Sequence, residues 1–202
     1  MNEGSGKRMK TLVINGSPRK NGDTQALIDE FVKHLHGEVR VISWEDDISP
    51  CIDCRHCWTK PGCAIDDDMQ EVYEYLEVCN NVAIASPIWF SSLSGPMLNI
   101  ASRVQSYFAA GHFRGEKSRL KRKDGVILLA GAERGTEAAP IKNALTIMKL
   151  MNVRRPCAAV VTAMDTNEIP AKEDAAAMKG AADAARTLNR LYEGSCFCRE
   201  ER

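Results

Sequence analysis

Two stretches hold residues whose types and spacing could do chemistry. Residues 51–63 read CIDCRHCWTKPGC, a C-x2-C-x2-C-x5-C run that places Cys51, Cys54, Cys57 and Cys63 within thirteen positions. Residues 15–24 read NGSPRKNGDT, with glycines and hydroxyls around a single arginine. Thiolates are soft metal ligands and redox nucleophiles. Glycine lets backbone N–H groups approach a ligand closely, while Ser17, Thr24 and Arg19 add hydroxyl and charged donors. The second set is therefore suited to an anion.

Three occupants fit the cysteine run at this level. A [4Fe–4S] cluster takes four thiolates, one per iron, and tight C-x2-C-x2-C runs are a recurrent way of supplying them; Cys63 is placed to close the same cluster. Reduced thiols, or an oxidisable pair, are the second reading. Zinc is the third, although its structural sites usually draw on two separated cysteine pairs. The spacing favours the cluster. His56, inside the run, reads as an exposed filler. Asp66, Asp67 and Asp68 read as the N-cap and first-turn acids of the next helix, where its dipole favours them. Cys79 and Cys157 read as small core residues, and Cys196 and Cys198 as exposed thiols of the tail.

The elements that must position these residues alternate along the chain. Apolar runs predict strands over Lys10–Asn15, Asn81–Ser86, Gly125–Ala130 and Cys157–Met164, and the alternation of Val39 and Val41 predicts one over Glu38–Trp44. Periodic apolar stripes predict helices over Thr24–His36, from Met69, over Pro96–Phe108, over Thr136–Leu150 and over Ala171–Tyr192. Strand–helix alternation without repeats or an internal linker predicts an α/β fold, a parallel sheet with helices on both faces. Five strands favour the flavodoxin-like three-layer sandwich with order 2-1-3-4-5 over the larger doubly wound sheet. Ligands of such a sheet sit beyond the carboxyl ends of strands one and three. NGSPRKNGDT leaves strand one at that rim and the cysteine run leaves strand two beside it.

The loop into the first helix is not a Walker A motif, because Gly22 is followed by Asp23 rather than lysine; nor is it G-x-G-x-x-G. One terminal phosphate, held by hydroxyl and amide donors at a helix N-terminus, is the better fit. NGSPRKNGDT, SPIWFSSLSGPM and CIDCRHCWTKPGCAIDDDM together resemble the flavodoxin-like NAD(P)H-dependent FMN reductases, in their iron–sulfur flavoprotein branch. The resemblance runs from Met9 to about Tyr192. It implies that Ser17, Arg19, Gly22, Asp23, Thr24 and Gln25 surround the phosphate of FMN. It implies further that Pro87, Ile88, Trp89 and Phe90 line the isoalloxazine ring, and that Gly131, Ala132 and Gly135 form a third wall. NAD(P)H is then a transient co-substrate stacked near Trp89, the chain a homodimer or homotetramer, and its partners small-molecule or protein electron donors and acceptors. The helix after strand three departs from the family pattern: Leu98 is followed by Asn99, and Ser102 precedes Arg103.

Composition sets the outer limits. The chain has 202 residues and a formal net charge of +0, so no global field attracts nucleic acid or a membrane surface. The basic run Lys117–Lys123 reads as a solvated turn. No segment approaches a membrane span, and eight cysteines without a secretory signal suit the reducing cytoplasm. Residues 1–8 are expected to be a flexible leader, 9–193 one domain and 194–202 a tail. No Ser/His/Asp set is present, and no catalytic side chain is named.

Overall fold

The structure, a computed structural model, describes residues 8–154 and 157–200, with side chains as far as 194 at the end of the last helix. The expected leader, Arg8 apart, and the thiols of Cys196 and Cys198 thus lie outside the described residues.

β1 (Lys10–Asn15) shows why the central strands are continuous in apolar residues rather than alternating. Leu12 and Ile14 bury into one helix layer and Val13 into the other, so both faces need hydrocarbon. The chain continues as α1 (Asp23–Lys33), β2 (Glu38–Ser43), α2 (His56–Thr59), α3 (Met69–Val78), β3 (Asn81–Trp89) and β4 (Ser92–Leu93). There follow α4 (Gly95–Ser102), α5 (Gln105–His112), β5 (Asp124–Ala130), α6 (Ala138–Leu150), β6 (Ala159–Ala163), a 3-10 turn (Ala171–Glu173) and α7 (Ala175–Glu200). The parallel strands run β2-β1-β3-β5-β6, which is the expected 2-1-3-4-5 order once the short antiparallel β4 beside β3 is set apart. α1 and α7 cover one face through Leu27, Phe31, Ala181 and Leu188. α3, α4 and α6 cover the other through Leu76, Met97, Ile100 and Met148.

Several expectations needed correction. The helix expected over Pro96–Phe108 is two helices, parted at Arg103 and Val104. The Arg103 carbonyl accepts hydrogen bonds from Tyr73 Oη (2.8 Å) and Ser106 Oγ (3.2 Å), and its side chain is drawn inward, so the ladder breaks there. β3 does not close at Ser86: it continues through Pro87 to Trp89, because the hairpin with β4 extends it. The basic run is only partly a solvated turn, since Lys123 is wholly buried beside Val153 at the start of β5. Cys79 is a core residue as expected, and burial pushes its thiol up to about 11. Cys157 is only half-buried, ahead of β6.

Candidate functional site

The loop after β1 is folded by its own side chains. Asn15 Oδ1 accepts the Ser17 N–H (2.9 Å), and Asn15 Nδ2 donates to Gln25 Oε1 (3.0 Å). Ser17 Oγ accepts the Arg19 N–H (3.2 Å). α1 then begins after Gly22 with no side-chain cap, so no capping side chain takes its first-turn N–H groups. Free amides and the positive end of the helix dipole together favour an anion. Asp23 points its carboxylate elsewhere, since Oδ1 accepts the Ala171 N–H (2.8 Å) and ties the loop to the 3-10 turn.

Two further segments close on this loop. The buried Ser94 donates to the Gly16 carbonyl (2.6 Å) and accepts the Met97 N–H (3.3 Å), which caps α4 and fastens it to the loop. Gly16 is required for that approach, because a Cβ there would lie 2.5 Å from Met97 Cβ. On the other side, the Gly131 N–H donates to the Ala163 carbonyl (2.9 Å), and the Gly131 carbonyl accepts the Thr166 N–H (3.1 Å). The loops after β5 and β6 are thereby held together, with Arg134 paired to Asp165 on their outer side.

Ten of the thirteen predicted residues meet in one open cleft of about 210 Å³ at the carboxyl ends of the strands. From the phosphate loop these are Ser17, Arg19, Gly22, Asp23 and Thr24; from the ledge Pro87, Ile88 and Trp89; from the third wall Gly131 and Ala132. Gln25 is not brought there, being held between Asn15 and Asp29. Phe90 stands fully exposed at the hairpin tip, and Gly135 lies beyond the wall. Thr166 and Asn167 also line the cleft and were missed; the available signal was their position just past the last strand.

The cysteine loop leaves β2 and turns over the α4–α5 junction. All four cysteines line one cavity of about 20 Å³ with His56, Trp58 and Arg103, so His56 is half-buried against the thiols rather than free. Cys57 and Cys63 are half-buried and Cys51 and Cys54 exposed; burial, with the neighbouring thiols, raises the Cys57 pKa. Among the described residues, no three His, Cys, Asp or Glu side chains converge on a single-ion position. The loop is pinned from several sides. Cys51 N–H donates to Ser102 Oγ (2.9 Å), Arg114 donates to the Cys57 carbonyl, and Trp58 stacks on Phe113 at 4.1 Å between centroids.

Asp67 is the correction within the acidic run. It does accept the Met69 N–H (3.1 Å), as a capping acid would, but it is also buried in a two-pronged ion pair with Arg103. Arg103 donates as well to the Ser49 carbonyl (2.8 Å) and the Ile65 carbonyl (3.3 Å), tying both ends of the cysteine loop. A larger cavity of about 420 Å³ lies behind this loop, between α3, α5 and residues 114–119. None of Ser17, Arg19, Gly22 and Thr24 lines it, so the phosphate loop opens only onto the cleft.

The family described as NADPH-dependent FMN reductase matches residues 9–165. The chain belongs to that family. Among the relatives of this family member, an iron–sulfur flavoprotein of Methanosarcina thermophila is 26% identical over 196 residues, covering 92% of this chain and 96% of the relative. An iron–sulfur flavoprotein of Methanocaldococcus jannaschii is 30% identical over 99 residues, 47% of this chain; the match spans about half that relative's length, 51%. Among solved structures, a flavodoxin, WrbA-like protein from Agrobacterium tumefaciens superposes with a TM-score of 0.58 at 10% identity, over 92% of this chain and 98% of that one. This likeness fixes the flavodoxin-like fold. No helix among the described residues is long and apolar enough to cross a membrane.

Proposed function

We propose that this member of the NADPH-dependent FMN reductase family binds FMN in the cleft and moves electrons from NAD(P)H, or a ferredoxin-like protein donor, to an external acceptor. The observation that carries the reading is the meeting of an uncapped helix N-terminus, the Pro87–Trp89 ledge and the Gly131–Ala132 wall in one cleft. When bound, FMN supplies two-electron hydride chemistry and one-electron chemistry alike. The chain's own residues do the rest. Ser17, Thr24 and the amides at the start of α1 suit the phosphate; Pro87, Ile88 and Trp89 suit one edge and face of the ring.

The cysteine loop fits a [4Fe–4S] cluster by its donor set. Cys51, Cys54, Cys57 and Cys63 all border one small cavity, and four thiolates in a tight C-x2-C-x2-C-x5-C run are the set a [4Fe–4S] cluster takes, one per iron. The relatives named iron–sulfur flavoprotein support the same assignment. Such a cluster handles single electrons and would link the cleft to an acceptor. The exposed apolar Trp89 and Phe90 at the hairpin suit contact with a second copy of the chain in a homodimer or homotetramer.

Anaerobic purification with flavin, iron and acid-labile sulfide analysis tests both halves. We expect one FMN bound per chain, about four irons, and flavin bleaching by NADH or NADPH. A chain that takes up no FMN on incubation sinks the account. Bleaching by a reduced ferredoxin alone would leave an electron-transfer protein without nicotinamide activity.

A further inference from the structure

Arg103 has one donor unaccounted for. Its side chain is 0% exposed, and its two terminal nitrogens are fully engaged by Asp67, the Ser49 carbonyl and the Ile65 carbonyl. Its Nε is buried with no hydrogen-bond partner. A buried guanidinium N–H left without an acceptor costs free energy that the fold has no structural reason to carry. The same residue lines the cavity that holds Cys51, Cys54, Cys57 and Cys63. The orphan donor therefore belongs to a side chain on the wall of the sulfur cavity.

We propose that Arg103 is a positioning and tuning residue for the cluster of the cysteine loop, its Nε–H donating a hydrogen bond to sulfur in that cavity. The inference rests on the cluster reading given above. Sulfur of a reduced cluster bears more negative charge than sulfur of an oxidised one, so an N–H donor stabilises the reduced form more and raises the reduction potential. No proton would be transferred: a cluster held by these cysteines would take one electron from an external reductant, and the N–H bond stays on arginine. Asp67 has the opposite electrostatic sign. It holds the guanidinium plane through two hydrogen bonds while placing a negative charge on the far side. Arg103 therefore links three things in one side chain: the ends of the cysteine loop, the α4–α5 break and the sulfur cavity.

The test is a reductive titration of the anaerobically purified holoprotein, followed by the electron paramagnetic resonance of the reduced cluster. Arg103→Lys keeps the charge opposite Asp67 but cannot place an Nε–H. At the wild-type midpoint its reduced-to-oxidised ratio should fall about tenfold, which is a 59 mV downward shift for a one-electron couple. Asp67→Asn keeps the Nε–H and removes the anion, so its midpoint should stay or move upward. If both variants move downward together, the effect is loop distortion and the tuning role is overturned. An unshifted Arg103→Lys midpoint overturns it as well. Where Arg103→Lys fails to fold, Arg103→Met paired with Asp67→Leu removes both charges and should still lower the midpoint relative to Asp67→Asn. Wild-type protein that contains FMN but neither iron nor sulfide defeats the cluster reading itself, an outcome distinct from an unshifted midpoint.

Discussion

Arg103 and Lys123 are both cations withdrawn from water, and the fold treats them differently. Arg103 has a carboxylate against it, and loss of Asp67 leaves that charge buried and unpaired. Asp67→Ala should cost about 3–5 kcal/mol in urea unfolding at pH 7. Burial alone would raise the Asp67 pKa, but the hydrogen bonds from Arg103 outweigh it and hold the carboxyl below its ordinary value. Its stabilisation is thus complete above the unfolded carboxylate pKa, about 3.9, and is lost as pH falls through the lower folded value. The gap between wild type and Asp67→Ala should be flat from pH 7 to about 5 and close below about 4. Lys123 instead donates to the Lys121 carbonyl (2.9 Å), and burial pushes its pKa down to about 8; Cys79 and Glu77 partly oppose that fall, while Lys121 adds to it. The fold favours the neutral amine, so its cost is full below pH 8 and disappears as pH rises towards the unfolded value, about 10.4. Lys123→Met should therefore gain on the order of 2 kcal/mol at pH 7, with the gain fading by pH 10. Paired urea melts at the two pH values measure this, and a gain independent of pH would show that the charge is not its source.

The β3–β4 hairpin shows an element built against local preference. Trp89 pairs with Ser92, and the two residues between them, Phe90 and Ser91, have φ of 51° and 54°. That is the geometry of a type I′ turn, whose usual residues are Asn and Gly. Nothing in WFSS signals such a turn, so the sequence predicted a ledge but neither its hairpin nor the outward position of Phe90. The central strands β1, β3 and β5 were readable because burial on both faces makes them nearly unbroken apolar runs, the edge strand β2 because Val39 and Val41 alternate with polar residues, and the phosphate loop because glycine and hydroxyl spacing is local. The break between α4 and α5 was not, because the contacts that hold Arg103 there, with Tyr73 and Asp67, lie 30 and 36 residues away. Thr166 and Asn167 were hidden for a like reason: only strand order brings the end of β6 to the cleft. Replacing Phe90-Ser91 by Asn-Gly should relieve left-handed strain and stabilise the protein by about 1–3 kcal/mol in thermal unfolding. Because Phe90 does not line the cleft, FMN affinity by fluorescence quenching should change less than about twofold, within the range expected of an exposed surface site. A large loss of affinity would return Phe90 to the ring site.

At the scale of the whole molecule, the two candidate cofactor sites lie on different supports. The cleft is framed by the end of β3 and the loops after β1, β5 and β6, and the cysteine cavity by the loop after β2 and the α4–α5 junction. No residue lines both. The bridge between them is α4, whose N-terminal Ser94 fastens Gly16 in the cleft loop and whose C-terminal Ser102 accepts the Cys51 N–H. α4 buries Met97 and Ile100 in the core, so it is held by packing that does not depend on either site. Sites on a rigid element with no shared partners behave additively. Cys54→Ala combined with Cys57→Ala should therefore abolish iron uptake yet leave FMN affinity almost unchanged. FMN at 100 times its dissociation constant should stabilise wild type and variant alike, by about 2.7 kcal/mol. Equal FMN-induced shifts in thermal unfolding, beside zero iron in the variant, are the expected pair of readings. A tenfold loss of FMN affinity in the cysteine variant would mean that α4 transmits the state of the loop to the cleft, and that binding at one site is coupled to the other.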